Sequence, residues 1–427
     1  MKKLLISIPL VALTLIMAAC SGSSVSASLL QSSKPRITNP TVTTVDAQTL
    51  TDGNIGFAFD IYQSLLTSNS RNLFYSPYSI SEALAMSYAG AAGTTATQMA
   101  QALNFTLPQS RLHPAFNKLD LDLATRGNNG QTATDVQPFK LNIVNAIWGQ
   151  KNYPFLSSYL DTLKQNYGAG LRTLDYINNP EASRVAINDW VASQTANKIK
   201  DLIPQGVINN QTRLVLTNAI YFNAGWKNRF EKSATTGGTF HNLSGNTASV
   251  QIMKLTEGFS YGENADYQAI ELPYDGDQIA MDIIMPKSEA FRTFESTLNL
   301  NSFNGILKGM IPAAIELTLP KFNIESDLSL KSVLSAMGMT DAFTSNADFS
   351  GIDGKKDLFI QDVIHKSFVK VDEDGTEAAA ASGVVIGVTS ILVPDAIMTI
   401  NHPFIFIIRD IPTGTILFIG RVAQLES

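Results

Sequence analysis

Residues 54–66 carry Ile55, Phe59, Tyr62 and Leu66 at helical spacing behind Asn54, which predicts an amphipathic helix. Ser76-Pro77 then opens a second helical segment, Tyr78 to Gly90, rich in Ala, Ser and Met and nearly free of charge, so it is expected to be buried. Pro180 to Ile203 is predicted as a longer helix, with Pro180 in the first turn and Val185, Trp190, Ile199 and Leu202 on one side. Elsewhere the pattern favours strands. Residues 139–148, 213–222, 268–273, 279–285 and 315–322 are β-branched and aromatic runs between Gly, Asn and Pro. Residues 404–408 and 415–422 flank Asp410-Ile-Pro-Thr-Gly414, a hairpin signal. Helices come early and strands late, which makes this an α+β chain, and a single domain from Ala47 onward needs no internal linker.

One stretch fits two patterns. Val371 to Asp395 passes from an acidic turn into small residues and then aliphatics. Its alanines suit a helical turn followed by a core strand. At period two, Thr376, Ala378, Ala380, Ser382, Val384, Ile386 and Val388 instead fall on one strand face without a charge or a proline, and Glu377, Ala379, Ala381 and Gly383 on the other. Such a face is able to enter an existing sheet.

Composition narrows the function. The 427 residues are 44% hydrophobic and 16% charged, enough for a large core, and the net charge of −6 offers no basic footprint for nucleic acid. The lone cysteine excludes an internal disulfide. Lys2 and Lys3 precede an apolar run, Leu4 to Ala19, that reads as a signal peptide over residues 1–20. The run closes on Met17-Ala-Ala-Cys20, which resembles a bacterial lipobox in which Cys20 becomes the lipidated N-terminus. A plain secretory signal with an incidental cysteine is the other reading, and either exports the chain. Residues 21–46 are polar and Ser/Thr-rich and are expected to form a flexible tether, so that membrane contact is limited to the lipid anchor at the cell envelope or surface.

Several motifs invite an enzyme or a metal site and fail on context. Gly258-Phe-Ser260-Tyr-Gly262 matches a nucleophile elbow, but strand-like residues follow Ser260 where a helix is required. In Asp372-Glu-Asp-Gly375 the glycine arrives too early for a calcium loop. The four histidines, His113, His241, His365 and His402, lack paired ligand spacing.

The segment Val371 to Ser382 resembles the hinge of an inhibitory serpin, with Glu373, Gly375, Thr376, Glu377, Ala378, Ala379, Ala380, Ala381 and Ser382 in register. Further serpin-like segments follow in family order. They are Asn72 to Ser81, Leu216 to Trp226, Leu319 to Phe322, Asp348 to Gly351, Val363 to Ser367, Asn401 to Phe404 and Leu417 to Arg421.

The resemblance implies a fold of three β-sheets and about nine helices with an exposed reactive-centre loop, over residues 47–427. It implies an inhibitor and not an enzyme, acting without a cofactor or metal. A serine protease cuts the loop, the loop inserts as a strand, and the acyl-enzyme is trapped in a covalent 1:1 complex with a monomeric inhibitor. Ser76, Ser79, Asn218 and His365 resemble the residues beneath the point where the large sheet opens, and Trp226 the aromatic where the loop enters. Family spacing from Glu373 puts the cut between Thr389 and Ser390, while counting back from Asn401 admits Val388, Ile391 or Leu392. None of these is basic, which points to elastase-like or subtilisin-like proteases, cysteine proteases remaining possible targets. The resemblance also covers serpins that carry hormones or act as chaperones, and the anchor alone would suit a surface binding module.

Overall fold

The computed structural model describes residues 25–67, 71–126, 140–287, 290–376 and 393–427. Its strands are β1 (Ser28–Leu30), β2 (Leu73–Tyr75), β3 (Lys140–Gln150), β4 (Leu171–Leu174), β5 (Leu214–Gly225), β6 (Thr236–His241), β7 (Thr247–Glu263), β8 (Tyr267–Pro273), β9 (Ile279–Pro286), β10 (Ile311–Pro320), β11 (Phe322–Ser329), β12 (Val363–Asp372), β13 (Gly375–Thr376), β14 (Ala396–Thr399), β15 (Phe404–Asp410) and β16 (Ile416–Val422). The α-helices are α1 (Thr44–Leu66), α2 (Pro77–Tyr88), α3 (Gly93–Ala102), α4 (Gln109–Leu123), α5 (Ser157–Tyr167), α6 (Pro180–Gln194), α7 (Phe291–Thr297), α8 (Leu300–Gly309), α9 (Lys331–Ala336) and α10 (Ser350–Asp353).

The first sheet runs β1-β4-β3-β5-β13-β12-β11. The remaining strands form one hydrogen-bonded assembly that behaves as two sheets sharing β7. One edge of β7 carries β10 along residues 252–261, with β14 beyond it; the other carries β6 at 247–252 and β8 at 260–263. From β8 the order continues through β9, β15 and β16 to β2. Three sheets among mixed helices match the expected architecture.

Strand β5 shows why the chain folds this way. Leu214, Leu216, Ile220, Phe222 and Ala224 enter the main core, while Val215 and Ala219 enter a smaller core beneath α6 with Trp148, Ile187, Val191, Ile199 and Ile364. Period-two alternation with both faces apolar makes β5 a central strand. In the main core Phe74 stacks on Phe418 at 5.0 Å and on Phe406 at 5.8 Å. Gly420 is needed beside them, since a Cβ there would lie 2.0 Å from the Phe406 ring.

Three expectations are corrected. The segment expected as a tether is docked from its middle onward: Ser28–Leu30 pairs with Leu171–Thr173, Asn117 donates to the Ile37 carbonyl at 2.7 Å, and Arg36 binds Asp120 at 2.5 Å. The first helix begins at Thr44 and not at Asn54, because Thr43 accepts from the Asp46 amide at 3.1 Å and caps it. The predicted helix through Ile203 ends at Gln194. Ala196, Asn197 and Asp201 have positive φ, and the buried Thr195 hydroxyl accepts from the Ile199 amide at 3.2 Å in place of a further helical turn. As its sequence context implied, Ser260 has no elbow geometry: it lies within β7, where its hydroxyl faces Glu271. Helices α4 and α5 escaped the sequence reading; in α4, Pro114 interrupts an otherwise helical pattern.

Candidate functional site at the seam of the large sheet

Strands β5 and β12 meet in two different ways along their length. At residues 363–367 they pair directly and in parallel, Val363 with Leu216 through Ser367 with Ile220. Higher up, β12 turns back through Asp372–Gly375 into β13, which lies between them: Thr376 pairs with Val371 on one side and Ala224 on the other. The large sheet is therefore wedged at one end and closed at the other.

The wedge is held by the segment that follows β5. Backbone amides of Trp226 and Phe230 donate to the carbonyls of Asp374 and Glu373 at 3.0 and 3.1 Å, and the Trp226 indole donates to the Asp372 carbonyl at 2.9 Å. The Trp226 ring stacks on Tyr274 with centroids 4.6 Å apart, and the Tyr274 hydroxyl meets the Thr376 hydroxyl at 2.7 Å. Thr376 is fully buried. Gly375 sits at φ +152, and a Cβ there would approach the Ala224 carbonyl oxygen to 2.2 Å, so only glycine allows this close passage.

The acidic turn that suggested a calcium loop is already neutralised. Glu373 is bound by Lys321 at 2.8 Å and by the Thr235 hydroxyl at 2.8 Å, Asp374 by Lys232 at 2.9 Å, and Asp372 by Lys370 at 2.7 Å. Burial opposes ionisation of Glu373, but its bonds to Lys321, its own backbone and Thr235 outweigh it and hold the carboxyl below its ordinary value.

The closed end is neutral and internal. Ser76 caps α2, accepting from the Ser79 amide at 3.2 Å, and its own amide donates to His365 Nε2 at 3.2 Å. His365 Nδ1 then faces Asn218 Oδ1, and Asn218 donates to Ser79 Oγ at 2.6 Å and Asn145 Oδ1 at 2.5 Å. Asn145, Asn218 and His365 are directly paired across β3, β5 and β12, so one row of side chains crosses the seam over the start of α2. Burial lowers the His365 pKa to about 3 and keeps the ring neutral.

The structure thus gathers Ser76, Ser79, Asn218 and His365 at the closed end, and Glu373, Gly375, Thr376 and Trp226 at the wedge. Glu377, Ala378 to Ala381, Ser382, Thr389 and Ser390 lie outside the described residues, as does Cys20. Tyr274, Lys321, Asn145 and Glu82 were missed by sequence reasoning. For the last two a signal existed: Asn145 interrupts the apolar run of β3, and Glu82 is the single charged residue of α2.

Comparison with known proteins places this geometry in a family. The family model described as Serpin (serine protease inhibitor) matches residues 52–425. An uncharacterised serpin-like protein of Thermococcus kodakarensis is 42% identical over 86% of this chain and 83% of its own length. The leukocyte elastase inhibitor of Homo sapiens is 36% identical over 88% of this chain and 99% of its own. Among solved structures, the thermophilic serpin tengpin in its native state superposes with a TM-score of 0.80 at 27% identity, covering 94% of this chain and all of that one; uncleaved ovalbumin gives 0.78, at 27% identity over 88% of this chain and all of that one. With a split seam in its large sheet and a family match across nearly the whole domain, the chain belongs to the serpin family.

Proposed function

We propose that this chain is a suicide inhibitor of serine endopeptidases that accept small or hydrophobic residues. The observation that carries the reading is the wedge: Gly375 and Thr376 already occupy the first two positions of a strand between β5 and β12. At the same register, Ser382 reaches the level of Asn218 and His365, which are partners of each other in the closed ladder. Thr376, Ala378, Ala380 and Ser382 then share the face toward the main core, where small side chains meet least resistance. Cleavage near Thr389-Ser390 frees the loop to continue inward, the inserted strand supplies the missing ladder, and the acylated protease is carried from its deacylation geometry.

Target class follows from charge. No Lys or Arg occurs between Asp374 and Arg409, so a trypsin-like pocket finds no partner, and elastase-like or subtilisin-like enzymes are the targets. The similarity to a leukocyte elastase inhibitor agrees with this choice. The same reading takes the chain as exported, attached through lipid at Cys20, and active as a monomer.

The test mixes the chain from residue 25 with elastase-type and subtilisin-type proteases. Denaturing gels should show a covalent adduct, and the released C-terminal peptide should begin near Ser390. Clean cleavage without adduct across the whole set would make the protein a non-inhibitory serpin that acts as a substrate or binder.

A further inference from the structure

The polar row at the closed end of the seam is a chain of hydrogen bonds constrained at both ends. The Ser76 amide can only donate, so His365 accepts at Nε2 and carries its proton on Nδ1, which donates to Asn218 Oδ1. The Asn218 amide nitrogen must then donate, and it meets Asn145 Oδ1. The Asn145 nitrogen donates in turn to Glu82 Oε2 at 2.7 Å and to the Ser79 carbonyl at 3.2 Å.

Glu82 is buried in α2. The charged and titratable groups acting on it are Asp120 of α4, Arg36 of the N-terminal segment, Tyr78 of its own helix and Tyr167 of α5. Arg36 is engaged with Asp120 at 2.5 Å and Asn117 at 2.9 Å.

We propose that Glu82 is a positioning residue for sheet opening: by accepting from Asn145 beside the Ser79 carbonyl it secures the end of the chain opposite Ser76, and so holds Asn218 and His365 in the arrangement that joins β5 to β12. This rests on the loop-insertion reading above. An amide that accepts on one side donates on the other, so a carboxylate at one end and a backbone N–H at the other leave one consistent orientation for both asparagines. A protonated Glu82 competes for the Asn145 oxygen: a flipped Asn145 accepts from it but gives up its bond to the Ser79 carbonyl and the bond from Asn218, so the chain is weakened at this end.

Burial, assisted by Asp120, raises the Glu82 pKa to about 8. The sign of the effect separates two roles. A raised native value means the proton is held more tightly in the fold, so stability falls as pH rises from the carboxyl's ordinary 4.5 toward 8. A merely structural carboxyl therefore predicts a looser sheet in mild alkali. A positioning carboxyl predicts slower opening of the seam there, because the opened sheet loses the Asn145 donor and so holds the ionised form less well than the closed one.

Two measurements on the full chain decide. With only four histidines, nitrogen-15 histidine labelling can follow His365 directly. The expected result is an Nδ1–H tautomer whose shift titrates near pH 8, with the titration lost in Glu82→Gln and the tautomer kept. A His365 signal independent of pH across that range, or one titrating identically in Glu82→Gln, overturns the proposal.

The second measurement is the rate at which a synthetic peptide of residues 375–388 enters the sheet. It should fall about fivefold from neutral to mildly alkaline pH, the size expected from one buried hydrogen bond, and stay flat in Glu82→Gln. A rate that rises with pH, or the same slope in both proteins, overturns the positioning role. Absence of uptake under any condition removes the loop-insertion reading, and the His365 titration then decides the role of Glu82 in the closed sheet on its own.

Discussion

The two ends of the seam between β5 and β12 lie on the same pair of strands yet are built from opposite chemistry. At the wedge the chain is held by carboxylates paired with lysines at its rim and by an aromatic stack beneath, with one hydroxyl contact to the inserted residue. At the closed end there is no ion pair among Ser76, Ser79, Asn145, Asn218 and His365; neutral donors and acceptors are matched in a largely buried row. From Asn218 to Ala224 the separation is about 20 Å at the usual rise of a strand. The contrast teaches a division of labour. The rim carboxylates are held by lysines that stay partly exposed, so each pair is partly screened and can be adjusted singly, whereas a neutral buried network resists opening until its partners are replaced together.

The largest break in this comparison should come from Thr376→Arg. An unpaired guanidinium in a fully buried position beside Tyr274 costs ~3–5 kcal/mol. Insertion should stall, so that the protease cleaves the variant and leaves; continued adduct formation at wild-type stoichiometry on denaturing gels would argue against the wedge as the entry point.

Next is Asn218→Leu at the closed end, which leaves His365 Nδ1–H without its acceptor and takes a donor away from Ser79 Oγ and Asn145 Oδ1, and should destabilise the native sheet by ~2–3 kcal/mol. Conversion of uncleaved protein to an inserted form, followed by native gels on mild heating, should accelerate. An unchanged conversion rate would show that the neutral row is not what keeps the seam shut.

Gly375→Ala sharpens the comparison from above. A Cβ directed at the Ala224 carbonyl, at a φ that suits glycine, should cost ~1–3 kcal/mol and expel the wedge from the sheet. Hydrogen exchange at Thr376 and Ala224 should rise while that at Asn218 and His365 stays slow. Equal increases at both places would mean the two ends are one unit.

The smallest effects are electrostatic and occupy different pH windows. Because the native pKa of His365 is depressed from 6.5 to about 3, its neutral state supports the fold above 6.5 and that support is lost as pH falls between these values. Glu373 is also depressed, so its contribution is present above its ordinary 4.5 and disappears only on further acidification. Acid should therefore loosen the closed end before the wedge. Lys321→Met should alter only the lower window, by ~0.5 kcal/mol given the partial exposure of Lys321. Thermal denaturation across both windows gives the check: a change in the upper window for that variant would contradict the assignment.

Local chemistry made much of this legible in advance. Runs of β-branched and aromatic residues at 213–222 and 404–408 marked strands, and burial on both faces of β5 is why its run is almost continuously apolar. Gly375, Thr376, Trp226, Asn218 and His365 were identified through their resemblance to a family pattern. The docked segment at 28–37 was not legible, because Ser28–Leu30 is too short to show a period and gains its partner only from Leu171–Thr173.

What the amino-acid sequence determined by itself was the supply of parts: β-branched and aromatic strands, a nearly charge-free helix behind Ser76-Pro77, and a small-residue run without Lys or Arg after Asp374. Only the tertiary structure decided that Glu82 and Asn145 belong with His365, that Tyr274 receives Thr376, and that Lys321 neutralises Glu373. Each of these pairings joins residues distant along the chain. Sequence periodicity reports which face of an element is buried, but which polar groups meet inside depends on how the sheets and α2 stack, and a buried donor settles only on the acceptor that the fold brings within reach.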